Sequence, residues 1–69
     1  MKQNRHLKVV VSNYPLRDGC MNLDFAISHF DESFPDVATT IVIYEVLSDN
    51  TEKILFERRN GEWIDSSEQ

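Results

Sequence analysis

Hydrophobic positions recur at strand spacing near both ends of this chain and at helical spacing between them. Leu7-Lys8-Val9-Val10-Val11-Ser12-Asn13 is β-branched and roughly alternating, which predicts a first strand. Asn13-Tyr14-Pro15 and Arg17-Asp18-Gly19 break the pattern and predict a loop that feeds a helix. From Cys20 to Phe34 the apolar residues Cys20, Leu23, Ala26, Ile27, Phe30 and Phe34 return at helical intervals. At roughly 100° per residue, Ile27, Phe30 and Phe34 fall within about 40° of Leu23, which makes one core-facing stripe. Asp18 or Asn22 is the expected cap, Asp24 suits the positive end of the helix dipole, and Pro35 stops the helix. Phe25 falls about 160° from the stripe, beside His29 and Glu32, where a lone helix leaves it in water.

The second half reads as a meander. Val37 to Leu47 is almost entirely β-branched or aromatic from Thr39 onward and predicts the strongest strand. Ser48-Asp49-Asn50-Thr51 is turn chemistry, Lys53 to Arg59 is the return strand, and Asn60-Gly61 is a hairpin turn into a short last strand, Glu62 to Asp65. The expected architecture is α+β in the order β-α-β-β-β, one helix packed on an antiparallel sheet of about four strands. It forms a single small domain over residues 1–69, with fraying at 1–6 and 66–69.

Register adds a surplus apolar face. Two-residue turns at Asp49-Asn50 and Asn60-Gly61 pair Ile43 with Phe56 and Arg58 with Trp63. One face then carries Ile41, Ile43, Ile54, Phe56 and Trp63, a floor for the helix stripe. The other carries Val42, Tyr44, Val46, Leu55 and Ile64. An open antiparallel face is normally polar, so Val42, Tyr44, Leu55 and Ile64 are expected to meet a second copy or a partner.

Charge is segregated along the chain. Asp18 to Glu52 holds Asp18, Asp24, Asp31, Glu32, Asp36, Glu45, Asp49 and Glu52 without a lysine or arginine. Lys2, Arg5, Lys8 and Arg17 precede it, and the two signs mix after it, giving a net charge of −5. At 69 residues and 41% hydrophobic content, the chain is too apolar for a disordered acidic tail and short enough that a partner or a second copy would help it. The single cysteine, Cys20, excludes an internal disulfide, and no apolar run is long enough for a signal peptide or a membrane span, so a cytoplasmic location is expected. Net negative charge disfavours membranes and phosphate backbones and favours basic protein surfaces.

Candidate chemistry is sparse. His6, Cys20 and His29 share no metal-ligand spacing. Cys20 and His29 stand far apart around the expected helix. About 10 Å of helical rise separates Asp24 from Asp31, with no pocket implied between them. Two glycines, Gly19 and Gly61, cannot build a phosphate loop. The expectation is a non-catalytic protein without cofactor or metal. Lys2, Arg5, Lys8 and Arg17 could grip a few phosphates, but the acids would repel the same strand unless they face away, and the alternative reading is an arm that neutralises the protein's own acidic surface. The leading expectation is a protein-binding surface made of Asp24, Phe25, Asp31, Glu32, Asp36 and Glu45, with Phe25 as an aromatic anchor or else packed on the Tyr14-Pro15-Leu16 loop. The rivals are a homodimeric accessory domain and a weak nucleic-acid-binding module.

A small acidic α+β chain ending in Asn60-Gly61-Glu62-Trp63-Ile64-Asp65 resembles several phage-encoded inhibitors of bacterial defence, including small anti-CRISPR proteins. The resemblance covers that hairpin together with size and charge. It implies an inhibitor that binds a basic surface of a nucleic-acid-handling complex, such as a CRISPR effector, in place of DNA.

Overall fold

The computed structural model describes residues 4–66. One helix packs against a five-stranded antiparallel sheet. The elements are β1 (Asn4–Val11), β2 (Tyr14–Asn22), α1 (Leu23–Ser33), β3 (Ile41–Val46), β4 (Glu52–Arg59) and β5 (Glu62–Asp65), with strand order β2-β1-β3-β4-β5. The α+β class and the terminal meander match the reading of the sequence. The additional element is β2, where a loop and the first turn of the helix were expected. Asn4 to His6, expected to fray, belong to β1, and the Ser66 amide donates to the Leu55 carbonyl at 2.9 Å. The remainder of both expected frayed ends, residues 1–3 and 67–69, lies outside the described residues, and Lys2 with it.

β2 exists because Ser12 and Asn13 turn the chain. Both have positive φ, 48° and 69°, and Val11 faces Tyr14 across them, the geometry of a tight two-residue hairpin. The pairing runs from Asn4 opposite Asn22 to Val11 opposite Tyr14, with Leu16 as an extra residue bulged between Pro15 and Arg17. Proline is tolerated because the Ser12 amide donates to Thr40 on the β3 side. By alternation, even-numbered β1 residues bond toward β3 and odd-numbered ones toward β2. Val10 faces Pro15, so the N–H that proline lacks would have pointed off the sheet.

The helix starts at Leu23, later than the periodicity suggested. Asn22 caps it with extended backbone, and its Oδ1 accepts from the Phe25 amide at 3.0 Å. Of the two expected caps, Asn22 is the one used; Asp18 lies in β2. Phe34, held out of the helical region by the following Pro35, closes the helix with its amide donating to the Phe30 carbonyl at 3.2 Å. Leu7, Val9, Val11, Ala26, Phe30, Ile41, Ile43 and Leu55 form the buried core, and Met21, Leu23, Ile27, Phe34, Phe56 and Trp63 pack around it. Each fully buried aliphatic or aromatic side chain of this kind contributes roughly 1.5–3 kcal/mol.

Both expected β-pairs are present: Ile43 opposite Phe56, and Arg58 opposite Trp63. The route to the first differs. Leu47 and Thr51 join at 2.8 Å across a three-residue turn, Ser48 to Asn50, with Asn50 at φ 69°. That shifts the register by one residue, and a bulge at Leu55 shifts it back. The bulge brings Leu55, 2% exposed, to the core side and turns Ile54, 39% exposed, outward opposite Tyr44. The expected outer face is corrected accordingly: Leu55 leaves it for the core and Ile54 takes its place.

Candidate protein-binding groove

The acidic side chains of α1 do not share one surface. At roughly 100° per residue, Phe25, His29 and Glu32 lie within about 60° of one another on one flank, while Asp24 and Asp31 lie on the opposite flank. The contacts follow this division. Asp31 Oδ1 accepts from Arg58 Nη1 at 3.1 Å and from Trp63 Nε1 at 3.1 Å, which ties that flank to β4 and β5. Phe25 and His29 instead border β2.

Phe25 is 60% exposed and stacks on His29, with ring centroids 5.4 Å apart and planes 12° from parallel. His29 in turn meets the buried Phe30 edge to face at 5.0 Å. Phe25 is thus supported by its own helix, and Arg17 to Met21, not the Tyr14-Pro15-Leu16 segment, form the wall across from it. The groove between them holds about 350 Å³ and is lined by Arg17, Asp18, Gly19, Cys20, Met21, Phe25, His29 and Phe30. A Cβ placed on Gly19 would meet no atom within 4 Å, so the groove is open at that point.

The acid run is largely engaged by the protein itself. Lys8 donates to Glu52 at 3.1 Å, Arg5 lies 3.8 Å from Glu45, and His6 contacts Asp18. Arg58 holds Asp31. Asp36 accepts from the Ala38 amide at 3.0 Å through its side chain, and its carbonyl accepts from Arg58. Asp49 accepts from both the amide and hydroxyl of Thr51, which holds its carboxyl below the ordinary value of 3.8. Cations that are remote in sequence therefore return to the acids in space, as the self-neutralising reading of the N-terminal arm expected for Arg5 and Lys8.

Of the expected binding residues, Phe25 and Glu32 share the groove flank. Asp24, Asp31, Asp36 and Glu45 do not, and Asp31 and Asp36 serve the fold. Val42, Tyr44 and Ile64 do lie on the open sheet face, with Ile54 in place of Leu55. Cys20 stands on the groove wall. Its strand neighbour Met21 packs on the core, so the Cys20 side chain shares the sheet's open face with His6 across β1. Among the described residues no group of three or more His, Cys, Asp or Glu could hold a metal ion, and no helix is long and apolar enough to cross a membrane. Arg17, Gly19 and Met21 were missed as groove residues because their segment read as a loop. The signal that could have found them is Asn13, whose tolerance of positive φ allows a tight turn one strand earlier. Comparisons with protein-family models, curated proteins and solved structures find no match to this chain.

Proposed function

We propose that this protein is a non-catalytic protein-binding module that engages its partner along the α1–β2 groove. The observation that carries this reading is Phe25, an aromatic ring left 60% exposed on a rigid helix and braced by His29 over an open groove. Braced aromatic side chains of this type supply much of the binding energy at interface centres. Glu32 on the same flank and the net charge of −5 favour a basic partner surface. Inhibition of a nucleic-acid-handling complex in the cytoplasm of a bacterium, such as a CRISPR effector, is the specific role we propose, on the resemblance in size, charge and terminal hairpin. Binding through the groove supports that role better than DNA mimicry does, because most of the acid run is engaged within the fold. Proteins retained from bacterial lysate by the immobilised wild type should be lost with Phe25→Ser. Retention of the same proteins by both would overturn the reading.

Self-association is a second reading, favoured by one observation. Ile54 and Ile64, 39% and 44% exposed, share the open sheet face with the half-buried Val10, Val42 and Tyr44. Light scattering at micromolar concentration tests it: a dimer that Tyr44→Lys dissociates would support it, and a monomer would exclude it.

A further inference from the structure

We infer that the groove receives an extended peptide segment of the partner, added as a sixth strand on the outer edge of β2. This deepens the proposed function and rests on its assignment of the groove as the binding site. The two edges of the sheet are unequal. β5 is four residues long, whereas β2 spans nine. Natural sheets blunt long edges with proline, bulges or cover. β2 has such protection only at its beginning, with Pro15 and the Leu16 bulge. Beyond it, Arg17 to Met21 form a regular stretch opposite Val9 to Arg5.

The hydrogen-bond phase identifies what this edge offers. Arg17, Gly19 and Met21 face odd-numbered β1 residues and bond inward; Asp18 and Cys20 face Lys8 and His6, so their N–H and C=O groups point off the sheet. An added strand would bond to Asp18 and Cys20 and bring one side chain opposite Gly19. There the missing Cβ leaves room, and Met21, Phe25 and His29 supply apolar and aromatic walls. Backbone bonding with a side chain seated in an adjacent pocket is the general mode of strand addition. The occupant is therefore an extended segment with a large apolar residue at its centre.

Charge selects between a second copy and a different protein. On its groove flank α1 carries Glu32 and no lysine or arginine, Arg17 and Asp18 on the β2 wall offset each other, and the chain is at −5. Joining two β2 edges would bring two such helices together, whereas a segment rich in lysine and arginine is attracted. The partner strand thus belongs to a basic protein.

Random heptapeptides displayed on phage, panned against the immobilised full chain, provide the test. Enriched sequences are expected to alternate large apolar residues with polar ones and to carry excess Lys and Arg. Cys20→Pro removes an outward N–H without touching the β1–β2 ladder and should weaken a selected peptide by about tenfold or more. Gly19→Val, which fills the groove, should do likewise, with amide spectra confirming that both variants are folded. Peptides that bind Cys20→Pro and Gly19→Val as tightly as wild type but fail on Phe25→Ser would overturn strand addition and leave the groove assignment standing. Peptides indifferent to all three substitutions would overturn both. Absence of any enrichment would overturn strand addition, with the Phe25-dependent lysate experiment then deciding the parent reading.

Discussion

Arg58, 2% exposed, reaches from β4 to the helix and donates through Nη1 to the Asp31 carboxylate at 3.1 Å. Its Nη2 donates to the carbonyls of Asp36 and Thr39 at 3.0 and 3.1 Å, so one guanidinium ties the helix end and the following loop to the sheet. Asp31→Ala leaves that charge buried and short of its counterion. Because Asp31 is itself half exposed, the expected loss is about 2 kcal/mol, toward the low end for a broken buried pair. Arg58→Lys should also destabilise, since one ammonium cannot span the three acceptor residues. Urea unfolding of Asp31→Ala, Arg58→Met and the double variant closes a cycle, for which a coupling of roughly 1–2 kcal/mol is expected. Strict additivity would show that the pair does not act as a clasp.

The bulge in β4 makes opposite forecasts for adjacent residues. Leu55→Ala, in the core, should lower stability by about 2–4 kcal/mol, while Ile54→Ala, on the open face, should lower it by less than about 1 kcal/mol. An uninterrupted hairpin of the kind read from the sequence would reverse that order.

Gly61 has φ +83°, and a Cβ there would lie 2.9 Å from Val37 Cγ1. Gly61→Ala therefore combines backbone strain with a close contact and should cost about 1–3 kcal/mol. Gly19→Ala meets nothing within 4 Å and should be neutral or stabilising, by up to about 1 kcal/mol. Thermal unfolding of the two variants compares them directly.

Asp49 titrates lower in the folded protein than in the unfolded chain because Thr51 donates to its ionised form. The proton therefore favours the unfolded state. The stabilisation is complete above the ordinary value of 3.8 and fades as pH falls from there through the lower folded value. Carboxyl NMR should place the Asp49 midpoint below 3.8, and Thr51→Val should raise it toward that value. An unchanged midpoint in Thr51→Val would remove the Thr51 hydroxyl as the cause and leave only its amide.

The meander was legible because β3 is dense in β-branched and aromatic residues, β4 and β5 each centre on a short apolar run, and the turns are built from Asn, Asp and Gly. The core stripe of α1 was legible from its spacing. β2 was not, since Pro15, Asp18 and Gly19 are poor strand formers, and the position of β2 at the sheet edge is what accommodates Pro15. The register of Ile43 with Phe56 was read correctly from a turn one residue too short, because the Leu55 bulge restores what the longer turn shifts. For the groove, Phe25 was visible as a misfit on the helical wheel. Its opposite wall was hidden with β2, and the internal use of Asp31 and Asp36 depends on Arg58, which sequence spacing cannot bring to them.

The strand order also divides the sheet into two sets of local pairings. β1–β2 with α1, and β3–β4–β5, are each assembled by short-range turns; one backbone ladder, the seam of Leu7 to Val11 against Ile41 to Glu45, joins the two halves, and Asp31 of α1 adds its side-chain bonds to Arg58 and Trp63. Closing that seam brings together residues more than twenty-five positions apart, the slow kind of contact in a small protein. Lys8–Glu52 and Arg5–Glu45 bridge the same seam, so they report when the halves have met rather than how either half forms.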